Sequence, residues 1–403
     1  MMNITNLKVW NHERKDFITS DLSFRINKRI TNLGEKEIDG SNLICLPTGI
    51  DIHVHFREPG YTHKEDMKSG TDAALYSGIS TVLDMPNTNP ITDTLDQILL
   101  KRSIAEKHDF VDVRIAAAIT DRNYLNLMKI DEHCDAYKIF MSESFGNLAV
   151  KEENIEEALN QLEQIESSKP IFFHAEDSLI LKSKVDEKEH AKQRPPEAEA
   201  VAVQSVLRWA HDFPSLRFHI THVSCTLSLR LLELTALDNL STDTCPRYLF
   251  FDQNSDLSPS LKKVNPPLRT ASDRNNLIEA LSKGVIDMIS SDHSPHTLEE
   301  KKTSCPSGMP GVQELIPSLI TLIQANEIEW ERAVEAFHVF PSKLLNIEPK
   351  DISENCMILD VSNPFEVNKS WIKSKSKWSP FEGKMFYGQV KYVIKSGEII
   401  LFS

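Results

Sequence analysis

The sequence predicts an α/β fold: a (β/α)8 TIM barrel carrying a small β-sandwich domain built from both chain termini. From about residue 47 onward, eight short β-branched or aromatic runs alternate with longer helical patterns. No glycine-rich phosphate loop follows the first of them, which counts against the competing doubly wound open sheet. The flanks read instead as short β-runs with turns, neither long enough to hold a sheet alone, so burial of each against the other is expected. The 403 residues suffice for this arrangement. The expected division is a small β domain from 1–46 plus 355–403, and a metal-dependent catalytic barrel over 47–354.

The first barrel strand candidate is "GIDIHVHF", an apolar run ending among His53, His55 and Arg57. Strand side chains alternate faces, so all three should point one way, beside Asp51, where an ordinary strand carries Val, Ile or Leu. "HKEDMKSGTDAALYSG" then reads as a helix. The later strand candidates are "ISTVLDMP", "VRIAAAI", "DAYKIFMS", "PIFFHAE", "RFHITHVS", "STDTCPRYLFF" and "GVIDMISSD". "EENIEEALNQLEQIESS" and "EAEAVAVQSVLRWAHDF" are helical stretches between them. "NLKVW", "DLSFRI" and "NLICLP" supply the amino-terminal β-runs, "CMILDV" and "QVKYVIKSGEIILFS" the carboxyl-terminal ones. "SWIKSKSKWSPFEG", basic and polar, reads as an exposed loop.

Apolar and charged fractions of 40% and 26% are those of a soluble globular protein. No apolar run reaches the roughly 18 residues of a membrane span, and "MMNITNLKVWNHERKD" is not a signal peptide, so a cytoplasmic protein is expected. Cys45, Cys134, Cys225, Cys245, Cys305 and Cys356 form no CxxC pair, which argues for buried or free thiols rather than disulfides or a thiolate zinc site. A net charge of −14 disfavours an extended nucleic-acid surface.

Polar residues collect where the predicted barrel strands end. The first carries His53, His55 and Arg57, the second Asn87, the fourth Lys138, the fifth His174, the sixth His222, the eighth Asp292, His293 and His296. In a (β/α)8 barrel this is the face on which catalytic residues gather. Any single histidine is explained by structural hydrogen bonding; four of them with a lysine and an aspartate on one barrel face are not. Imidazoles and a carboxylate suit catalytic zinc, and two metals about 3.5–4 Å apart can share a hydroxide. Lys138 has two readings: a lysine snorkelling in an interior layer, or a lysine carboxylated by carbon dioxide whose carbamate bridges two cations. A buried unpaired ammonium is costly, which favours the second once metals are present.

"DIHVHFREPG", "DMPNTNP", "AYKIFMSES", "FFHAED", "ITHVS", "VNPPLR" and "SSDHSPHTLEEK" stand in this order, and with them the chain resembles the dihydroorotases of the amidohydrolase superfamily, over essentially its whole length. The likeness is to the class I-like members with a carboxylated lysine. It implies two zinc ions per subunit: His53, His55 and Asp292 on the first, His174 and His222 on the second, and the carbamate of Lys138 bridging. It implies that Arg57, Asn87 and His296 hold the substrate carboxylate, with His55 also near substrate. Asn265 and the "SGMPG" segment at Ser307 and Gly308 match the part that contacts the ring. The implied reaction is reversible hydrolysis of (S)-dihydroorotate to N-carbamoyl-L-aspartate in pyrimidine biosynthesis. A zinc-bridging hydroxide attacks, and Asp292 acts as general base and then acid. A homodimer, and association with an aspartate transcarbamoylase, are the partners the likeness suggests.

Allantoinases and dihydropyrimidinases share such a metal site, but typically lack the pair Arg57 and Asn87. A non-catalytic scaffold of the same barrel is the remaining alternative; such proteins usually lose metal ligands, and none is missing here. One departure stands out: where these enzymes commonly read Pro-His-His-Leu after the seventh strand, this chain has Pro246-Arg247-Tyr248-Leu249. That change bears on the groups around the metal ligands. Cys225 reads as core, Asp51 and Glu58 as supporting residues, and His63, His190 and His338 as helix-surface residues. Phe145 is either a lid residue over the site or a loop anchor.

Overall fold

The computed structural model describes residues 1–30, 36–144 and 148–402; Phe145 lies outside the described residues. Strands β1 (Met2–Asn11), β2 (Asp16–Ile26), β3 (Glu37–Asp39) and β4 (Leu43–Pro47) precede the barrel. The barrel consists of β5 (Gly49–Val54), β6 (Ile79–Asp84), β7 (Asp112–Ala118), β8 (Ala136–Phe140), β9 (Pro170–His174), β10 (Arg217–Ile220), β11 (Leu240–Thr244) and β12 (Met288–Ile289). All eight pair in parallel in sequence order. A parallel bridge between Val54 and His293, with the His55 amide donating to the His293 carbonyl at 2.8 Å, joins the two ends.

Strand β13 (Cys356–Asp360), the short pair β14 (Phe365–Glu366) and β15 (Met385–Phe386), and β16 (Gln389–Lys395) and β17 (Glu398–Phe402) follow the barrel. The terminal strands form one seven-stranded sheet, curled until β2 pairs with both β17 and β1. Its core holds Met2, Ile4, Leu7, Val9, Phe24, Cys45, Cys356, Ile358 and Ile399. The inward parity of β1 changes from even to odd between Ile4 and Leu7 because the register shifts there, at Asn6 with φ 57°. Met2 and Ile4 before the bulge, and Leu7 and Val9 after it, thereby reach the same core.

Inside the barrel, Ile50, Ile52, Leu83, Met85, Ala116, Ala136, Phe172 and Met288 form one buried cluster with Leu344 and Leu345. Simple alternation does not run from Asp51 to Arg57, since the β5–β6 register shifts between Asp51 and Val54. Val54 and Phe56 join the outer core instead, and Gly70 of the helix Met67–Tyr76 makes room for the Phe56 ring. A Cβ on Gly70 would meet that ring at 2.3 Å.

Several expectations are corrected by packing. The strand expected through Phe251 ends at Thr244, because Pro246 opens the short helix Pro246–Phe250. The segment "SWIKSKSKWSPFEG" is no exposed loop: Ser374, Ser376, Trp378, Ser379 and Phe381 are buried against the barrel. Trp378 donates its indole N–H to the His296 carbonyl at 2.8 Å, and the Glu65 carboxylate accepts from the Ser374 hydroxyl and the Lys375 amide. His190 and His338 are half-buried rather than exposed on their helices. His190 donates to the carbonyl of Val264 at 2.9 Å and His338 to that of Thr48 at 2.9 Å, while His63 remains exposed beside Glu300. Among the described residues no helix is long and apolar enough to cross a membrane. All six cysteines are free, and all but Cys305 are buried.

Candidate active site and metal centre

One cavity at the carboxyl ends of the barrel strands is lined by His53, His55, Arg57, Asn87, Lys138, Phe140, Ser144, His174, His222, Asn265, Asp292, Ser307 and Gly308, among others. The terminus of β5 contributes two imidazoles. His53 Nε2 lies 3.4 Å and His55 Nε2 3.0 Å from Oδ1 of Asp292, so three potential ligand atoms face one point. His55 Nδ1–H donates to Asn87 Oδ1, which leaves its Nε2 lone pair directed at Asp292. Asp51 accepts from the amides of His53 and Ser291, both at 3.1 Å, and ties the ends of β5 and β12 together.

The second pair of imidazoles is oriented by carboxylates. Glu176 accepts from His174 Nε2–H at 2.8 Å and is itself gripped by Arg194, so His174 Nδ1 keeps its lone pair. That atom faces His222 Nε2 at 3.0 Å. Asp243 accepts the His222 amide at 2.7 Å with one oxygen and the His219 ring at 2.8 Å with the other. Burial, followed by the neighbouring cations, lowers His53, His55, His174 and His222, those at 53 and 222 most of all. Neutral imidazoles are the form that ligates a metal.

Lys138, on β8, is fully buried, with its ammonium bonded to the Thr221 hydroxyl at 3.1 Å. Burial pushes it down to about 7, which favours the neutral amine relative to an exposed lysine. Burial alone would raise the Asp292 carboxyl, but Arg247, His53 and His55 hold it well below the usual carboxylate range. The donor set fits a metal centre: neutral imidazoles with lone pairs aimed inward and one carboxylate, with His53, His55 and Asp292 close enough together to hold an ion. Among the described residues, His53 Nδ1 and His222 Nδ1, both buried, have no hydrogen-bond partner.

The organic side of the cavity is built by loops. Arg57 stands at φ 61° just beyond β5, with its Nε–H on the Pro295 carbonyl at 3.3 Å. Asn265 donates to the Ser144 hydroxyl at 3.2 Å. Gly308 adopts φ 135°, and a Cβ there would sit 2.5 Å from the Ser294 carbonyl. His296 is placed differently from the other site residues. It does not line the cavity: Nδ1 accepts from Lys64 at 3.1 Å and Nε2–H donates to the Ser307 carbonyl at 3.1 Å, beside Arg57.

Residues 44–350 match the description "Amidohydrolase family". The chain belongs to the amidohydrolase family. Among its relatives are dihydroorotases of Methanosarcina acetivorans, 32% identical over 93% of this chain and 87% of the relative, and of Caldicellulosiruptor saccharolyticus, 33% identical over 95% and 93%. The dihydroorotase of Pyrococcus furiosus is 31% identical over 93% and 87%. Solved structures share the fold. L-hydantoinase (dihydropyrimidinase) from Arthrobacter aurescens superposes with a TM-score of 0.85 at 23% identity, covering 100% of this chain and 97% of that one. Dihydropyrimidinase from Brevibacillus agri gives 0.86 at 21% identity, covering 100% and 95%.

Within this amidohydrolase, sequence reading missed Glu176, Arg194, His219 and Asp243, which surround the ligand candidates, whereas Arg247, singled out in the Pro246–Leu249 departure, bonds Asp292. Glu176 stood in the quoted "FFHAED", two places after His174, and an acid that close to a ligating histidine was its signal. Asp243 meets the His222 amide and the His219 ring from the neighbouring strand β11 and carries no local signal.

Proposed function

We propose that this amidohydrolase catalyses the reversible hydrolysis of (S)-dihydroorotate to N-carbamoyl-L-aspartate, the ring-opening counterpart of a step in pyrimidine synthesis. The carrying observation is one cavity that joins two kinds of wall: inward-facing His53, His55, His174, His222, Lys138 and Asp292, and the guanidinium of Arg57. An imide ring bearing a carboxylate needs both. His53, His55 and Asp292 would hold one zinc, His174 and His222 a second, and carboxylated Lys138 would bridge them. When bound, the pair supplies Lewis acidity toward the scissile carbonyl and acidifies water.

The chain's own residues supply the rest. Arg57 presents a planar fork to the substrate carboxylate and orients the ring, with Asn265, Ser307 and Gly308 along its edge. Asn87 holds His55 in the tautomer a ligand requires, and His296 stands behind Arg57 between Lys64 and the Ser307 carbonyl. Asp292 Oδ1 takes the proton from the attacking water as the new C–O bond forms. It returns that proton to the ring nitrogen as the C–N bond breaks. Ring closure runs the same path backwards from protonated Asp292. Arg57 favours a substrate with a carboxylate over hydantoin-like rings, which lack one.

An assay of dihydroorotate, allantoin and dihydrouracil, with and without a chelator, tests this reading. Chelator-sensitive turnover of dihydroorotate alone supports it; turnover of dihydrouracil but not dihydroorotate sinks it.

A further inference from the structure

The segment that departs from the Pro-His-His-Leu pattern has a definite place in the site. Arg247 is 3% exposed and sits behind Asp292, which lines the cavity. Its Nη2 donates to Oδ2 of Asp292, and its Nη1 is shared between the backbone carbonyls of Ser291 at 3.3 Å and Asp292 at 3.2 Å. The same guanidinium lies 4.8 Å from the centroid of the Tyr248 ring. The Tyr248 hydroxyl donates to the Pro266 carbonyl at 2.6 Å, one residue beyond Asn265.

We propose that Arg247 is the positioning residue for Asp292 and that Tyr248 anchors the Asn265 loop, so that two adjacent substituted residues bracket the metal edge and the ring edge of the cavity. A carboxylate has two oxygens and about four lone-pair directions. Among cations it can chelate with both oxygens or swing between them. With Oδ2 held by a guanidinium, only Oδ1 faces His53 and His55, which is the oxygen that both ligates and moves the proton. Asp292 also stands at φ 40°, a left-handed conformation unfavourable for a side chain with a Cβ. Nη1 grips the carbonyls of Ser291 and Asp292, so Arg247 holds that backbone twist as well as the carboxylate. A histidine at 247 has a shorter reach and one or two N–H groups, too few for three acceptors. Lysine keeps the charge but lacks the fork.

The experiment compares wild type, Arg247→Met, Arg247→Lys and Tyr248→Phe. It measures zinc affinity by competition with a chelating dye, the thermal midpoint, and kcat and KM for dihydroorotate at saturating zinc. Arg247→Met should weaken zinc binding and lower kcat by about 10- to 100-fold each, with KM within about threefold. Arg247→Lys should recover part of both. Tyr248→Phe should raise KM about three- to tenfold while zinc affinity stays put. Unchanged zinc affinity and kcat in Arg247→Met, or a lowered thermal midpoint with neither altered, would overturn the proposal. If Arg247→Met does not fold, wild-type zinc affinity and kcat in Arg247→Lys overturn it equally. The kinetic arm rests on the dihydroorotase reading. The zinc arm uses no substrate, so inactivity of wild type toward dihydroorotate would refute that reading while still deciding the role of Arg247.

Discussion

Arg57, His222 and Asp292 share a feature no sequence pattern announces: φ angles of 61°, 46° and 40° on residues that carry a Cβ. Each such residue costs about 1–3 kcal/mol and persists only where surrounding bonds over-determine it. The Pro295 carbonyl on Arg57, Asp243 beneath the His222 amide and Arg247 around Asp292 are those bonds. Two predictions belong at this scale. Asp292→Ala should abolish dihydroorotate turnover while far-UV circular dichroism stays native; ordinary turnover would remove Asp292 from the proton path. Arg57→Lys should chiefly raise KM, by about tenfold, because an ammonium cannot offer two parallel donors. An unchanged KM would separate Arg57 from the substrate carboxylate.

At the scale of elements, buried cations fasten the loops that bear these residues. Lys101, on the helix Leu95–Ala105, is fully buried, 2.8 Å from Asp84 at the end of β6 and 2.6 Å from the Met85 carbonyl. Asp84 in turn accepts the Phe56 amide at 2.8 Å, beside Arg57. Removing one partner of a buried pair leaves an uncompensated charge, so Lys101→Met should destabilise by about 3–5 kcal/mol in urea unfolding. A loss below about 1 kcal/mol would show that the pair holds little. Lys301 does similar work on the ring side, donating to the carbonyls of Lys263 at 3.1 Å, Pro306 at 2.9 Å and Gly308 at 2.9 Å. One ammonium thus joins the loops that carry Asn265 and Ser307. Strand identity was readable from β-branched runs, but such joints were not: Lys101 and Asp84 lie in different elements, and no period links them.

At the scale of the molecule, the terminal sheet and the barrel meet at His338. Its Nδ1–H bonds the Thr48 carbonyl, while burial, together with His12, lowers the ring to about 4. The unfolded chain, with a value near 6.5, therefore binds a proton that the native state refuses between those limits. The stability tied to this residue is complete above pH 6.5 and is lost as pH falls toward 4, amounting to about 3 kcal/mol. His338→Gln should flatten that part of the stability–pH curve in urea titrations from pH 7 to 4. An identical slope in both proteins would place the acid sensitivity elsewhere. The sequence placed His338 on a helix surface because it saw only the polarity of one segment, not the strand packed across it.

By itself the sequence predicted the barrel's strand order and the polar residues at the strand ends, since both are local properties of the chain. It also determined that two termini must share one sheet, because neither could bury its apolar face alone. Tertiary structure decided which nitrogen of His55 and of His174 is hydrogen-bonded, which oxygen of Asp292 Arg247 holds, and that His296 bonds Lys64 and the Ser307 carbonyl. Those choices depend on partners far apart in sequence and only ångströms away in space, and hydrogen-bond geometry rather than residue type selects among them.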